Sequence, residues 1–595
     1  MPGQGGQATQ PESGSAVAEA ITTKGDLAVG VTEAITQALA KLSHDIPPQD
    51  IAMVSVSTTL ATNAVVEGHG GATGVVLIGF DAAMVERTGI AKAFPEIPIA
   101  VIAGGHHHSG DAVCPLDVAA LEAARRTLNA QVDAVAVASR VAPRHAAPDP
   151  PPIQCPLMIV KGDGSLALAE SVATRPIETV LSGPAASLVG AQWLSGLDSF
   201  ILSDMGGTTT DLGLLIDGRP KIKEEGAEVG GWRTMVRAID VRTIGLGGDS
   251  EITLHGNGRI QVGPQRVAPV SLVAARYPAV LAMLRADLDD VQGGGSMHGK
   301  FVLLPFAADS DKEHNGLTAR ELETLQTITH APQPLRKLAT SLSSQRSIAS
   351  LQRKGLVQVS SLTPSDVSHV LGLQANWSPE AATMATQLAC RLRDMKLPTP
   401  ERTRSFAQDV WAETVRLTGL AILQTAFGVE MADNPLTHAV CSGKGALGLA
   451  TVSLKPSIPV VAVGGPVKVY YEEVQRRLGC EVRFPEFCEV ANAVGAATGV
   501  VAHSVTVEVM GDGTGLFRMH SSASTRQFTD AFEALETAQA LAEQLAHDAV
   551  VEMGAPHPQV KLSIAKQYMP NARDDTGLLQ ATIVAEAIGR PNAAA

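Results

Sequence analysis

The sequence predicts a large α/β protein built around a parallel or mixed sheet. Short apolar runs alternate with amphipathic helical stretches, which is the rhythm of layered α/β proteins. Several of these runs end in glycine turns, where α/β proteins often place ligand-binding groups. The chain has 595 residues, of which 45% are hydrophobic, and this content excludes disorder over the whole chain. The length allows about four domain-sized units of about 150 residues each.

The first part of the chain alternates predicted helices and strands. We expect the polar, glycine-rich start to be a disordered tail over residues 1–24. The elements predicted next are a helix ending at 42, a strand and turn over 51–70, a strand at 74–80, a helix at 116–131 and a strand at 132–139. Six prolines between 141 and 156 indicate a linker or loop, because proline removes a backbone donor and favours extended backbone.

The rest of the chain continues the pattern and ends in a smaller unit. The elements predicted there are a strand before 161, a helix from 182, two strands around a glycine turn at 199–218, helices around a short turn at 346–372, helices over 380–428, a strand at 458–463, a helix over 472–479, a small-residue helix over 491–505 and a long helix at 530–548. The last part, with that long helix and β-like stretches, predicts an appended α+β unit.

Composition and charge exclude several classes of function. Forty-six basic against sixty acidic residues give a net charge of −14, which argues against the basic surface that a duplex-DNA binder needs. Aromatic residues make up only 3%, so a base-stacking platform for single strands is not expected. Six dispersed cysteines favour reduced thiols and a cytoplasmic location. No signal peptide or run of about 18 apolar residues is present, and we expect no membrane association.

The sharpest local motif is Asp204-Met205-Gly206-Gly207-Thr208-Thr209-Thr210-Asp211, which lies between two apolar strands. Glycines allow close backbone approach, and exposed N–H groups with threonine hydroxyls can cradle phosphate oxygens. Asp204 could hold Mg²⁺, because magnesium sites use one or two carboxylates together with phosphate. The motif is not a P-loop, since no lysine follows and the chain leaves as a strand. An ordinary hairpin with an Asp/Gly turn is the structural alternative.

Other candidate ligand groups also follow strands or open helices. Gly464 and Gly465 come after the strand at 458–463 and suit the adenosine end of a nucleotide, or a plain strand–helix turn. Gly247, Gly248 and Asp249 form another glycine turn, where Asp249 could bind a ligand or cap the turn. Ser182 and Gly183 open a helix, whose N-terminus favours anions, although serine is also a common N-cap. Lys161 and Asp163 end a buried strand, the usual place for ligand groups in α/β proteins.

Three segments, in order, carry a resemblance to a known family. They are STTLATNAVVEGHG with TGVVLIGF, then KGDGSLALAESVATRPIETVLSGPAASLVGA leading into ILSDMGGTTTDLGLL, and last VGGPVKVYYEEVQRRLG with EFCEVANAVGAATG. Together these segments resemble the hydantoinase A/5-oxoprolinase family, on its hydantoinase A-like side.

The resemblance implies a two-lobed, actin-like ATPase (ribonuclease H-like) fold with a small α+β C-terminal unit. It divides the chain into a partial hydantoinase/oxoprolinase N-terminal domain at 25–150, an ATPase-like domain at 157–505 and the C-terminal unit at 506–595. It implies an enzyme that uses ATP and Mg²⁺ to open cyclic amides such as hydantoins or 5-oxoproline by phosphorylating the lactam oxygen. A hydantoinase B-like partner subunit and an oligomeric state are also implied.

By the same resemblance, Asp204 to Thr210 would form the second phosphate loop, with Asp204 and Asp211 as metal ligands. Gly464 and Gly465 would form the adenosine loop, with Gly247, Gly248 and Asp249 near the cofactor. Ser182 and Gly183 would lie near the substrate. Thr58 and Asn63 would also lie near the substrate, in the space between the lobes that Lys161, Asp163 and Asp249 line as well. Lys161 and Asp163 would be catalytic together with Asp204.

Two departures from the family pattern keep other hypotheses open. Family members carry a first Asp-Gly-Gly-Thr phosphate hairpin near the N-terminus, and residues 1–24 contain none. The segment around 146–156 is also shorter than expected. One alternative is therefore a catalytically impaired nucleotide-binding or scaffold subunit, because half a phosphate clamp stabilises transferring charge poorly. A sugar-kinase-like phosphotransferase with the same fold is another.

Overall fold

The computed structural model describes most of the chain from residue 157 onward and parts of what precedes it. The described residues are 36–37, 41, 54–56, 73–78, 98–103, 117–129, 134–139, 157–173, 175–226, 228–229, 232–234, 236–256, 258–290, 295–304, 317–394, 398–569 and 577–591. Among them, no helix has the length and apolar character needed to cross a membrane.

The described strands and helices follow in chain order. The strands are β1 (Val54–Val56), β2 (Thr73–Ile78), β3 (Ile99–Ile102), β4 (Ala134–Ser139), β5 (Leu157–Val160), β6 (Leu166–Leu168), β7 (Phe200–Met205), β8 (Thr210–Ile216), β9 (Arg219–Pro220), β10 (Ile222–Lys223), β11 (Glu228–Val229), β12 (Trp232–Arg233), β13 (Ala238–Ile239), β14 (Val241–Ile244), β15 (Ser250–Leu254), β16 (Ile260–Arg266), β17 (Ala268–Pro269), β18 (Phe301–Leu303), β19 (Gln333–Pro334), β20 (Gln358–Ser361), β21 (Ala446–Leu447), β22 (Ala450–Thr451), β23 (Val460–Val463), β24 (Val482–Arg483), β25 (Val501–Gly511), β26 (Phe517–His520), β27 (Thr525–Phe528), β28 (Gln559–Tyr568) and β29 (Leu578–Gly589). The helices are α1 (Val118–Asn129), α2 (Ala169–Ala173), α3 (Ser182–Ser195), α4 (Val270–Arg276), α5 (Ala279–Asp289), α6 (Ala319–Thr327), α7 (Leu335–Leu338), α8 (Leu342–Arg353), α9 (Pro364–Leu371), α10 (Pro379–Asp394), α11 (Pro400–Phe427), α12 (Pro435–Cys441), α13 (Val467–Leu478), α14 (Ala491–Thr498) and α15 (Ala531–Glu552).

One mixed sheet carries the central motif, with the strand order β14-β8-β7-β23-β24 and with β9 beside β8. Strands β7 and β8 form the predicted antiparallel hairpin, and β23 runs parallel to β7. The residues Phe200, Ile201 and Leu202 of β7 and Val460 of β23 have no exposed surface. Runs that are apolar on both faces are expected for strands covered by helices on both sides, so this sheet holds its loops on a rigid core.

A second sheet, with the order β1-β5-β6-β25-β26-β27, extends through β29 and β28 on the other side of β25. The long helix α15 packs on this sheet through an alanine-rich stripe, and the pair forms the predicted C-terminal α+β unit. Strand β25 begins at Val501, before the predicted boundary at residue 506, and Val501 pairs with Leu166 of β6. The C-terminal unit is therefore continuous with the sheet that contains β5.

Two predictions about local structure in this part were wrong. The small-residue helix expected over 491–505 ends at Thr498, because Gly499 precedes valine-rich residues that pair as β25. The short turn expected within 346–372 is strand β20, which pairs with β18. Alternating residues favour a strand when a neighbouring strand is present, and that neighbour lies far away in the sequence. The helix predicted over 472–479 begins earlier, at Val467.

The described elements before residue 140 confirm the helix predicted at 116–131 and the strands predicted at 74–80 and 132–139, and β1 lies within the strand and turn predicted over 51–70. Strand β3 was not predicted, and most of the helix predicted to end at 42 lies outside the described residues. Strands β3, β2 and β4 form a parallel sheet, and α1 packs against it through Leu121 and Leu128. The predicted tail at 1–24 and the proline-rich linker at 141–156 lie outside the described residues.

Candidate functional site

The hairpin between β7 and β8 places two carboxyl groups side by side. Asp204 and Asp211 lie directly opposite each other in the antiparallel register, so their side chains share one face of the sheet. The turn between them is closed by Gly206 N–H donating to Thr209 O at 2.9 Å. Gly206 and Gly207 keep partly exposed backbone, whereas Thr208 is buried.

Both carboxyl groups have raised pKa values because they are buried. Burial raises the pKa of Asp204 to about 6, although a 2.5 Å hydrogen bond from Ser187 Oγ lowers it in part. Burial raises the pKa of Asp211 to about 7, with a lowering contribution from the Thr243 hydroxyl at 2.5 Å and a raising contribution from Asp204. Two neighbouring acidic groups whose pKa values are raised by burial, one of them also by the other's charge, form a site that a cation would stabilise.

A second glycine loop lies directly on this hairpin. Gly248 N–H donates to Gly206 O at 3.1 Å, and Asp249 N–H donates to Gly207 O at 2.8 Å. At Gly247 a Cβ atom would lie 2.4 Å from Gly207 O, so only glycine allows the two loops to approach this closely. The structure thus brings Gly247, Gly248 and Asp249 to the predicted phosphate loop.

A third glycine loop closes the same site from β23. Val463 pairs with Asp204 across the parallel strands, and Gly464 follows at a φ of +101°. A Cβ atom on Gly464 would lie 2.2 Å from Met205 O and 2.9 Å from Asp204 Oδ1. At Gly465, by contrast, a Cβ atom would meet nothing within 4 Å. Gly464 is therefore required by the protein itself, whereas Gly465 faces open space that a ligand could occupy.

The site contains a cation that the sequence reasoning missed. The Arg266 guanidinium donates to Asp249 Oδ2 at 3.2 Å, and its Nη2 lies 3.6 Å from the place where a Gly207 Cβ would stand. Arg266 reaches this position because it pairs with Ser250 at the other end of the β15–β16 hairpin. The pairing of β15 with β16 could have indicated that Arg266 lies near Asp249, but no local sequence motif marks Arg266 as a ligand residue.

Helix α3 contacts Asp204 through the hydrogen bond that Ser187 donates. Its predicted start at Ser182 is confirmed, with Leu181 rather than Ser182 at the N-cap position. The Asn492 side chain donates to Gly183 O at 2.8 Å and lies 3.5 Å from Ser187 Oγ, the donor to Asp204. Ser182 and Gly183 therefore belong to a helix that is connected to Asp204 through Ser187.

Lys161 and Asp163 line a different cavity, of about 610 Å³, whose lining residues include none of the three glycine loops. Within the described part of the chain these two residues share no cavity with the Asp204 cluster, by which we mean Asp204, Asp211 and the three glycine loops, and their catalytic role stays a prediction. The predicted residues Thr58 and Asn63 lie outside the described residues.

The arrangement at Asp204 suits a phosphorylated ligand together with a divalent cation. Magnesium is commonly held by one or two protein carboxylates plus phosphate oxygens, and Asp204 and Asp211 supply such a pair. No larger cluster of three or more His, Cys, Asp or Glu ligands occurs among the described residues. The glycine loops leave backbone next to the open space, where phosphate oxygens can be bound.

Sequence comparisons with known proteins match the first half of the chain. The sequence model of the hydantoinase/oxoprolinase N-terminal region matches residues 8–147, and that of hydantoinase/oxoprolinase matches residues 121–276. Caprolactamase subunit alpha from Pseudomonas jessenii is 35% identical over 116 residues, which are 19% of this chain. That match spans only 16% of the relative's own length.

Solved structures match nearly the whole chain. A nucleotide-free structure of acetone carboxylase, described as an enzyme of ATP-dependent acetone carboxylation, aligns with a TM-score of 0.56 over 97% of this chain and 85% of its own, at 14% identity. A crystal structure of ATP-dependent caprolactamase from Pseudomonas jessenii aligns at a TM-score of 0.47 and 15% identity, over 95% of this chain and 83% of its own. The acetone carboxylase match confirms the predicted fold class.

Proposed function

We propose, from the premise that this chain belongs to the hydantoinase/oxoprolinase family, that it is the ATP-binding subunit of an enzyme that opens cyclic amides. The observation that carries the proposal is the convergence of three glycine loops on the carboxyl pair Asp204 and Asp211. The name of the relative caprolactamase subunit alpha also agrees with an amide substrate and a multi-subunit enzyme.

In this proposal, ATP binds across the three loops. Gly206, Gly207 and the backbone of Thr208 would hold the phosphates, and the open space at Gly465 would take the adenosine end. Asp204 and Asp211 would hold Mg²⁺, which would neutralise phosphate charge. Phosphoryl transfer depends on positioning and on electrostatic stabilisation, and Arg266 adds a positive charge that Asp249 holds in place.

The proposed reaction consumes one ATP and two waters. The γ-phosphoryl group moves to the lactam oxygen and ADP leaves, which makes the ring carbon electrophilic. One water adds to that carbon and the ring C–N bond breaks, which leaves an acyl phosphate and a free amine, and a second water hydrolyses the acyl phosphate and releases phosphate. The products are the open-chain amino acid, ADP and phosphate. We propose that a hydantoinase B-like subunit takes part in the hydrolysis.

The test is ATP turnover by the purified chain, alone and with a co-expressed hydantoinase B-like subunit. ADP release is measured without substrate and with 5-oxoproline, hydantoin or caprolactam. We expect amide-stimulated turnover that Asp204→Asn lowers about 100-fold or more, as for the loss of a main electrostatic group. The control is Asp409→Asn, at a half-exposed aspartate paired with Arg393. Equal turnover by the parent protein and Asp204→Asn contradicts the proposal, and stimulation by glycerol or glucose instead indicates a sugar-kinase-like enzyme.

A second candidate is a nucleotide-binding subunit that does not turn ATP over. Asp204 to Thr208 is the only Asp-x-Gly-Gly-Thr stretch among the 595 residues, and this candidate requires that the hairpin binds nucleotide without supporting turnover. Calorimetry with ATP and Mg²⁺ separates the candidates. Binding without turnover in the presence of the partner subunit favours the non-catalytic subunit.

A further inference from the structure

The cavity at Lys161 has the features of a second ligand site. It lies where the turn after β5 meets β25 and β29 on one side and residues 219–222 and 236–237 on the other. Its volume of about 610 Å³ falls in the range of small-molecule pockets, about 300–1,000 Å³. We call it the Lys161 cavity.

The Lys161 ammonium group is buried and has only long contacts. Its side chain is 5% exposed, and Nζ lies 3.8 Å from Asp163 Oδ2, 3.9 Å from Glu178 Oε2 and 3.5 Å from Ala502 O. Typical N–H···O bonds are about 2.7–3.2 Å. A buried charge is costly unless hydrogen bonds satisfy it. No closer partner occurs among the described residues, so a ligand oxygen in the cavity would supply the short bond that Lys161 lacks.

The two acidic groups beside Lys161, Asp163 and Glu178, are positioned to accept a hydrogen bond from a ligand. Asp163 Oδ1 accepts from Ser165 N–H at 3.0 Å and from Ser165 Oγ at 2.6 Å, which leaves Oδ2 on the side of Lys161. Glu178 Oε1 lies 3.5 Å from Arg175, and its Oε2 lies on the side of Lys161. A donor next to acceptors complements an amide group, whose oxygen accepts and whose N–H donates.

Among the described residues, the exposed Arg219 is the unpaired positive group of the cavity lining. It makes no ion pair with the described part of the chain, whereas Arg237 pairs with Glu224 at 3.2 Å and the acidic Glu586 also lines the cavity. Burial, followed by the nearby Lys161 charge, lowers the pKa of His503, so this lining residue is neutral at pH 7. A guanidinium group binds a carboxylate with two parallel hydrogen bonds when geometry allows. The rim is therefore suited to an acidic substituent.

We propose that the Lys161 cavity binds an amide that also carries a carboxylate. The amide group lies between Lys161 and the two acidic side chains, and the carboxylate lies towards Arg219. That this ligand is the substrate rests on the proposed function, whereas its binding does not require ATP.

The experiment is titration calorimetry on the full chain without nucleotide, with two probes of the same ring size. 5-Oxoproline carries a lactam and a carboxylate, and 2-pyrrolidinone carries the lactam alone. We expect 5-oxoproline to bind about 10-fold or more tightly than 2-pyrrolidinone, since a charge-assisted bidentate pair is lost in the latter. Lys161→Met should weaken both probes about 10-fold. Arg219→Gln should weaken only 5-oxoproline and bring both probes within about 3-fold of each other.

Arg483→Gln is the matched control, because Arg483 is also a half-exposed arginine but pairs with Glu481 outside the cavity. Arg219 is exposed, so its variant keeps the test informative if Lys161→Met does not fold. Unchanged affinity in Arg219→Gln and Lys161→Met, or no binding of either probe at millimolar concentration, overturns the inference. Lys161-dependent binding without ATP turnover supports the cavity and contradicts only the proposed function.

Discussion

The Asp204 cluster and the Lys161 cavity contain buried charged groups of opposite sign. At Asp204 two acidic groups are packed together, and their pKa values rise to about 6 and about 7. At Lys161 a buried cation stands between two carboxylates, with arginines at the rim. A cation would stabilise the first site, whereas a nearby ligand oxygen would give Lys161 in the second site a shorter hydrogen bond than its contacts of 3.5–3.9 Å.

The two sites also differ in how they are built. Backbone contacts fix the Asp204 cluster, because three loops touch through glycine where a side chain would collide with a carbonyl oxygen. Side chains form the Lys161 cavity, and their contacts are long. We infer that substitutions at the first site act on stability and ligand binding together, whereas those at the second act mainly on binding.

Gly464→Ala should have the largest destabilising effect. Its Cβ would lie 2.2 Å from Met205 O at a φ of +101°, so the loop must move, at a cost of about 3 kcal/mol or more in the free energy of unfolding. The matched control is Gly465→Ala, whose Cβ meets nothing within 4 Å. We expect it to keep the melting temperature but to weaken ATP binding. Chemical denaturation and calorimetry measure both effects, and equal destabilisation by the two variants would show that the loops are not closely packed.

Asp211→Asn should stabilise the ligand-free protein at neutral pH. A carboxyl group with a raised pKa binds its proton more tightly in the folded than in the unfolded state. Its contribution to stability is therefore full below about pH 4 and is lost as the pH rises through about 7. Asparagine does not ionise, so we expect a gain on the order of 4 kcal/mol at pH 7.5, about half of that or less at pH 5, and little gain at pH 4. Melting curves in EDTA from pH 4 to 8 test this, and parallel profiles for the two proteins would contradict it.

Arg266→Gln should weaken ATP binding about 10-fold, which corresponds to about 1.4 kcal/mol. The reason is that Arg266 is the cation next to Gly207 in the proposed phosphate site, where a charge-assisted bond is strong. Arg242→Gln is the control, because Arg242 pairs with Glu430 and lies outside the three loops. Calorimetry with ATP and Mg²⁺ measures the difference, and equal affinities would remove Arg266 from the site.

The sequence predicts those parts of the fold and site that depend on near neighbours. The strand–turn–strand at Asp204–Asp211 is visible because apolar runs flank a glycine turn within one segment. The start of α3 at Ser182 is visible for the same reason. These features need no information about distant parts of the chain.

Long-range pairing decides the features that the sequence does not reveal. Gly464 reaches Asp204 only because β23 lies parallel to β7, and β20 is a strand because β18 lies beside it. Lys161 and Asp163 were expected to line the space between the lobes, and the cavity that they line is formed with β25 and β29, from the last part of the chain. Sheet order sets all of these relations, and a local pattern does not encode it.

Ser187→Ala should have the smallest effect on the free energy of unfolding. It tests whether a side-chain contact also positions the Asp204 cluster, which is otherwise fixed by backbone contacts. The Ser187 hydroxyl donates the hydrogen bond that partly lowers the pKa of Asp204, so its loss should raise that pKa further. We expect a change of about 1 kcal/mol in the free energy of unfolding, typical of one hydrogen bond, and weaker Mg²⁺-dependent ATP binding at pH 6 than at pH 8. Thr418→Val, which removes a buried helix hydroxyl far from the loops, is the control. If both variants show the same pH dependence of ATP binding, Ser187 only supports the fold and does not position Asp204.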